Sequence, residues 1–206
     1  FDWLTPLYDP VVRWVMREEG FKRQFVSQTG IKPDMILLDL GCGTGTLTTM
    51  LAQASPQATI HGLDGDAAVL AIAETKAQRV GVNIAWTRGF SFDLPYPNQC
   101  FHRVTASLML HHLNRDQKQR TISEAWRVLR PNGELQIVDF GPPHSLFSAG
   151  ICLVIRHLEE IADNVDGLLP TLLNEGGFVE SGEYGHWATV LGPLSFLGAV
   201  KTDEAV

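Results

Sequence analysis

The sequence predicts an α/β fold: a doubly wound, mostly parallel sheet with helices on both faces, a C-terminal antiparallel β pair and an N-terminal cover helix. Three observations carry this. Short apolar runs alternate with longer amphipathic ones between Met35 and Phe140, and strands alternating with helices imply right-handed βαβ crossovers. The end of the chain breaks the alternation with two β-like runs and no helix between them. Finally, 206 residues that are 45% hydrophobic suit one compact core. No repeat, low-complexity tract or Ser/Gly/Pro linker divides them, so 1–206 reads as a single domain.

At the front, Asp9 to Gly20 carries Val11, Val12, Val15 and Met16 at helical spacing and reads as a cover helix within residues 1–30. Met35-Ile-Leu-Leu-Asp-Leu40 is a continuous apolar run ending in glycines, the pattern of a buried strand. Leu47 to Ala54 follows as a helix stopped by Ser55-Pro56. Thr59 to Leu63 is the second strand, and Asp66 to Val80 a helix closed by Gly81. Ile84 to Thr87 is the third strand. After a loop with Pro95 and Pro97, Phe101 to Ser107 is the fourth. Asn114 is placed to cap a helix running to Val128, and the Pro131-Asn-Gly133 turn delivers Glu134 to Phe140 as the fifth. Pro142 to Leu173 contains Leu146, Phe147, Ile151, Cys152, Val154, Ile155 and Leu158, a broadly apolar helix. Phe178 to Tyr184 and Leu194 to Lys201 form the closing β pair.

Several function classes are excluded by composition. Lys+Arg number 16 against 23 Asp+Glu, a net charge of −7, and no basic cluster exists to track a nucleic-acid backbone. No apolar stretch is long enough to cross a bilayer. Phe1 does not open a charged-then-apolar leader, and the missing Met suggests a trimmed end. Cys42, Cys100 and Cys152 share no metal or redox spacing, and an odd count fits a reducing cytoplasm. No His/Cys/Asp spacing suggests a metal. His61 and His186 read as structural residues of strands and His157 as one of a helix.

The strongest chemical signal is Leu37-Leu-Asp-Leu-Gly-Cys-Gly-Thr-Gly-Thr46. A glycine loop between strand and helix lets a ligand approach backbone where a Cβ would clash. Asp64 closes the second strand, where a carboxylate can accept from both hydroxyls of a ribose. Asp39 precedes the loop, placed to face an ammonium through water. Gly41, Gly43 and Gly45 form G-x-G-x-G, and Thr46 stands where a dinucleotide fingerprint wants its third glycine. No G-K-[ST] ending follows, which argues against a Walker-type phosphate loop. The loop reads as a nucleoside site for an S-adenosyl group.

The chain resembles a class I S-adenosylmethionine-dependent methyltransferase, most similar to the ubiquinone/menaquinone C-methyltransferase-like group. The resemblance runs over nearly the whole chain. It includes Phe1-Asp-Trp-Leu-Thr-Pro-Leu-Tyr-Asp9, the glycine loop, Leu94-Pro-Tyr-Pro-Asn98, Leu108-Met-Leu-His-His-Leu113, Arg127-Val-Leu-Arg-Pro-Asn-Gly133 and Gly192-Pro-Leu194. It implies a Rossmann-like seven-stranded sheet and S-adenosyl-L-methionine as cofactor, with S-adenosyl-L-homocysteine as product. It further implies that Asp64 binds ribose and that Gly41, Cys42 and Gly43 pass the methionine part. Ser107 would offer its carbonyl to the ammonium, and Tyr8 would close over the ligand. Three positions depart from the pattern. Gly65 stands where relatives place a larger apolar residue against adenine, Phe90 replaces an acid that takes the adenine amino group, and His102 stands where Asp is common. Phe90 or Phe92 would restore stacking, and Ser91 would offer a backbone contact.

Methyl transfer needs alignment of nucleophile, carbon and sulfur. A carbon or phenol nucleophile also needs a proton removed, for which His is the usual group near neutral pH. His111 and His112, after the fourth strand, are the candidates. A small, partly hydrophobic acceptor is expected between the N-terminal helix and residues 142–175, with Trp14 and Trp187 as possible contributors. No Asn/Asp-Pro-Pro-aromatic run follows the fourth strand, which argues against a nucleic-acid acceptor. Two other readings stay open on sequence: a non-catalytic S-adenosyl-binding module, and a nucleotide-dependent oxidoreductase, disfavoured by Thr46. The oligomeric state is not written in the sequence.

Overall fold

The structure, a computed structural model, describes residues 18–157 and 160–203. Tyr8, Trp14, Leu158 and most of the helix expected over Asp9–Gly20 lie outside them. Helix α1 (Glu18–Gln28) is followed by β1 (Ile36–Leu40), α2 (Thr46–Ala54), β2 (Thr59–Asp64), α3 (Ala67–Val80) and β3 (Ala85–Arg88). Next come β4 (Phe101–Ser107), a 3-10 turn at Leu110–His112, α4 (Arg115–Val128) and β5 (Leu129–Phe140). Three further helices, α5 (Leu146–Ile155), α6 (Ala162–Val165) and α7 (Leu169–Glu175), lead to β6 (Val179–Thr189) and β7 (Gly192–Val200).

The strands form one seven-stranded sheet in the order β3-β2-β1-β4-β5-β7-β6. The first five are parallel, and β7 runs antiparallel between β5 and β6. Leu37, Leu38 and Leu40 are fully buried, because β1 lies mid-sheet with both faces covered. On one face Phe21, Phe25, Leu47, Leu51 and Ala77 of α1, α2 and α3 pack with Ile60 and Phe196. On the other, Ile122, Ala125, Leu172 and Leu173 of α4 and α7 pack with Val104 and Leu135.

Local chemistry sets the helix ends. Asp66 caps α3 by accepting from the Ala68 and Val69 amides, and Gly81 ends it in the left-handed conformation (φ 73°). Asn114 and Gln117 form a reciprocal capping box at the start of α4. At its other end Arg127 ties two sequence motifs together. Its guanidinium donates to the carbonyls of Tyr96 (2.8 Å) and Leu94 (3.0 Å), to Asn98 Oδ1 (2.9 Å) and to Glu124. Lys201 donates to the Trp126 and Leu129 carbonyls at 2.8 Å each, fastening the end of β7 to the same corner.

Four expectations are corrected. Gly20 does not end a helix; it lies inside α1, where a Cβ would sit 2.9 Å from the Trp187 ring. Leu129 pairs with Phe101 before the Pro131-Asn-Gly133 turn shifts the register, so β5 starts ahead of Glu134. The single apolar helix expected over 142–173 is three helices. Gly167 at φ 73° interrupts it, and Pro170 lies in the first turn of α7. Within α5 Cys152 is buried, and Leu146 is 95% and Phe147 76% exposed. His157 falls in the turn after α5 rather than within it. His61, by contrast, is structural, edge-on to Tyr96 and Phe101.

Candidate functional site at the carboxyl edge of the sheet

From β1 the chain builds the sheet outward through β2 and β3, then returns to lay β4 on the opposite side of β1. That reversal opens a crevice at the carboxyl ends of β1 and β4, and the glycine loop leaves β1 into it. Gly41, Gly43 and Gly45 all have left-handed φ (59°, 55° and 70°), a conformation that favours glycine. Their surroundings differ. A Cβ on Gly41 would meet Met109 at 2.8 Å, and one on Gly45 would meet Ala73 and Trp86 at 2.8 Å. Beside Gly43 no atom of the described residues lies within 4 Å. Gly41 and Gly45 therefore serve packing, and Gly43 presents open backbone.

Two carboxylates flank the loop in different environments. Asp64, at the end of β2, is half-buried and accepts from the Gly43 amide at 2.9 Å and the Asp66 amide at 3.0 Å. It thus fixes the loop with both oxygens, each of which keeps a second lone pair. Asp39 is buried, with Oδ2 accepting from Thr48 Oγ1 (2.6 Å) and Oδ1 from Thr105 Oγ1 (2.9 Å). Burial pushes its carboxyl up to about 6, although both hydroxyls and the Lys22 ammonium oppose the rise. Lys76 clamps the loop from α3, donating to Thr44 and Thr46 hydroxyls at 3.1 and 2.8 Å. Cys42 lies buried under the loop, its thiol pushed up by burial and then by the Asp39 and Asp64 charges.

The departures at positions 65 and 90 meet in space. The Phe90 ring, stacked on Phe92 at 5.2 Å and 59% exposed, lies 3.0 Å from where a Gly65 Cβ would stand. Ser91 turns its hydroxyl away to Thr121 Oγ1 at 2.9 Å. His102 lies at the far end of β4, accepting from the Ile36 amide at 2.9 Å and meeting Arg130 at 2.8 Å.

Ser107 ends β4, and its buried hydroxyl has no hydrogen-bond partner among the described residues. Beyond it the 3-10 turn brings His111 to Asp139, a residue the sequence reading passed over. His111 Nδ1 lies 2.7 Å from Asp139 Oδ1. The Leu110 and Phe140 amides donate to the same carboxylate at 2.8 Å each. Burial alone would raise the Asp139 carboxyl, but His111 and these amides hold it below the ordinary carboxylate range. The ring of His111 stands edge-on to Phe140 and 4.0 Å from His112, which is exposed.

This strand order, with a glycine loop at the reversal, an acid closing β2 and an antiparallel strand inserted before the sheet edge, defines the class I methyltransferase fold. A solved S-adenosylmethionine-dependent methyltransferase of Methanosarcina mazei shares it at a TM-score of 0.72 and 21% identity, over 87% of this chain and 98% of that one. The family described as "Methyltransferase domain" matches residues 37–133. A 2-phytyl-1,4-naphtoquinone methyltransferase of Nostoc sp. is 31% identical over 150 residues, 70% of this chain. An uncharacterized methyltransferase of Synechocystis sp. is 31% identical over 169 residues, 78% of this chain and 74% of its own length. The chain belongs to the methyltransferase family. It spans 65% of the length of the Nostoc relative.

Proposed function

We propose that this chain binds S-adenosylmethionine at the Gly41–Gly45 loop and transfers the methyl group to a small, partly hydrophobic acceptor. The observation that carries the reading is Gly43. It is a left-handed glycine with open space beside it among the described residues, its amide fixed by the half-buried acid at the end of β2. The residues around it fit such a ligand. Asp64 offers carboxylate oxygen to ribose hydroxyls, and the buried negative charge of Asp39 faces the region of an amino-acid ammonium. The Ser107 carbonyl is at hand for the same ammonium, and the exposed Phe90 ring is a flat surface for adenine. Tyr8, which the resemblance assigns as a cover, lies outside the described residues.

When bound, the ligand supplies an electrophilic methyl carbon on a sulfonium. The protein's part is alignment, which alone is worth several kcal/mol. Asp139 holds Nδ1 and so orients the His111 ring, and Nε2 is the nitrogen we assign to take an acceptor's proton. His112, exposed beside it, is the second candidate base. The acceptor reading draws on the Nostoc relative, whose name gives a naphthoquinone, and on the exposed apolar residues of α5 within 142–175. A quinone-like acceptor is the class we infer. Among the described residues no helix is long and apolar enough to cross a membrane. The free thiols Cys42, Cys100 and Cys152 support a cytoplasmic setting.

The test is calorimetric titration of the protein with S-adenosylmethionine and S-adenosylhomocysteine, with NADH as control and Asp64→Ala alongside. Saturable binding of both adenosyl ligands, weakened in the variant, followed by methylation of a reduced naphthoquinone, is the expected result. No binding at millimolar ligand, or saturable binding of NADH instead, overturns the cofactor assignment. Binding without methylation across a broad acceptor panel overturns the enzymatic one.

A further inference from the structure

At the same edge of the sheet, beyond the His111–Asp139 pair, three side chains converge that no spacing in the sequence connects. His144 follows β5, and Glu183 and His186 lie on β6. His144 Nε2 is 3.2 Å from Glu183 Oε1, and His186 Nδ1 is 3.8 Å from the same oxygen. The two imidazoles stack at 4.1 Å with 14° between their planes. One ligand-type atom from each residue lies within 4.8 Å of the other two.

On a regular strand, residues three apart point to opposite faces. Here the pairing runs Glu183 to Leu197, then Gly185 to Phe196, so one extra residue is inserted in β6. That bulge brings Glu183 and His186 round to one side. Behind the cluster, Ser195 Oγ donates to Glu183 Oε2 at 2.9 Å, leaving Oε1 toward the histidines. Ser195 is 1% exposed, and it fits because residue 141 is glycine: a Cβ there would fall 1.9 Å from the Ser195 oxygen. A buried hydroxyl that orients the carboxylate of a two-histidine, one-carboxylate cluster is the outer support that metal sites use.

We propose that His144, Glu183 and His186 form a binding site for a first-row divalent transition-metal ion, with Zn2+ as the reference ion. Ligand bonds of about 2.0 Å at tetrahedral angles separate ligand atoms by roughly 3.3 Å, close to the 3.2 Å and 3.8 Å separations, and binding requires the two stacked imidazoles to rotate so that both point a nitrogen at one ion. Nitrogen and carboxylate donors select Zn2+, Co2+ or Ni2+ over Mg2+ and Ca2+, which take oxygen ligands. Three protein ligands leave a fourth position for water or for an oxygen of a bound molecule. The side chains are 33%, 23% and 55% exposed, in the order His144, Glu183, His186, so an ion reaches them from solvent. This site stands independently of the methyltransferase reading.

The experiment is equilibrium dialysis of the tag-free full chain against Zn2+, with a parallel titration of Co2+ followed by its visible absorption. The wild type is expected to take up about one equivalent of Zn2+, and Mg2+ in excess is not expected to displace it. His144→Ala and His186→Ala should each weaken binding by roughly tenfold or more, and Ser195→Ala, which touches no ion, by roughly tenfold through the freed carboxylate. His157→Ala, in the turn after α5, should leave uptake unchanged. The exposed histidine variants are expected to fold, which a thermal melt without metal verifies. Absence of stoichiometric uptake by the wild type overturns the proposal. So does uptake undiminished in the His144→Ala/His186→Ala double variant.

Discussion

Replacing Asp39 by Asn isolates the conflict between stability and ligand electrostatics. The carboxylate has no solvent, two hydroxyl donors and one nearby cation, and burial wins: its pKa stands at about 6 instead of 3.8. A raised carboxyl pKa means that the folded state holds the proton more tightly than the unfolded state. Stability from this group is therefore present at low pH and is lost as pH rises from the unfolded value through about 6. At pH 7.5 the ionised carboxylate costs the fold about 3 kcal/mol, and at pH 4.5 about 1 kcal/mol, from the linkage relation. Asn keeps the shape, and the Thr48 and Thr105 hydroxyls can each accept as well as donate. Asp39→Asn should accordingly stabilise the protein by about 2–3 kcal/mol at pH 7.5 and by about 1 kcal/mol at pH 4.5.

The assay is urea unfolding at both pH values, with the slope compared to exclude a change in the unfolded state. In the same preparation, affinity for S-adenosylmethionine should fall in the variant. In the wild type it should weaken as pH drops below about 6, because a cationic ligand favours the ionised acid. A destabilised Asp39→Asn, or a stability gain that is the same at both pH values, refutes the burial argument.

Three other outcomes are expected. Gly43→Ala should cost only about 1–2 kcal/mol of backbone strain in a thermal melt, while S-adenosylhomocysteine affinity measured by calorimetry falls more than tenfold; unchanged affinity would make the loop a mere turn. Asp139→Ala leaves the Leu110 and Phe140 amides and His111 Nδ1 without their acceptor, for a loss of about 2–4 kcal/mol in urea unfolding. Because the Asp139 carboxyl is held below its ordinary range, its contribution is present above that range and is lost as pH falls through the folded value, so Asp139→Asn should flatten the acid limb of the stability profile. Arg127→Ala should cost about 2–3 kcal/mol without altering ligand affinity, and Arg127→Lys should not restore it, since a point charge cannot serve Leu94, Tyr96, Asn98 and Glu124 at once.

What could be read in the sequence follows from how local the cause is. Asn114 with Gln117, Asp66 and Gly81 decide their helix ends by contacts within a few residues, and those ends agree with the reading. Strand β1 was the most legible, because mid-sheet burial writes a nearly continuous apolar run there. The segment after β5 was not legible, since a uniformly apolar stretch such as Leu146–Ile155 looks alike whether it is buried or exposed. Asp39 and Asp139 carry the same signal, one acid near the carboxyl end of a buried strand. Only the first was singled out, because glycines follow it, whereas the partner of the second reaches it from a different loop. Lys118 is hidden for a similar reason. Its buried ammonium reaches the Glu160 carbonyl and lies 3.6 Å from Asp163, partners that the α4 sequence does not contain.

Gly65 and Phe90 show how two departures from a family pattern become one in space. Read separately, the first removes bulk from an adenine site and the second removes an acid. In the structure the Phe90 ring occupies the space beside Gly65, 3.0 Å from the absent Cβ, so bulk has moved from one residue to the other. Gly65 does not have a positive φ, so Ala is sterically allowed there except for that ring. Gly65→Ala should therefore displace Phe90 and weaken S-adenosylhomocysteine binding, and Phe90→Ala should weaken it by removing the flat surface. The double variant should bind better than the sum of the two losses, because the new methyl then has room and replaces part of the missing bulk. A double-mutant cycle by calorimetry measures that coupling. Additive losses would mean that the two residues act on the ligand independently and that their contact is incidental.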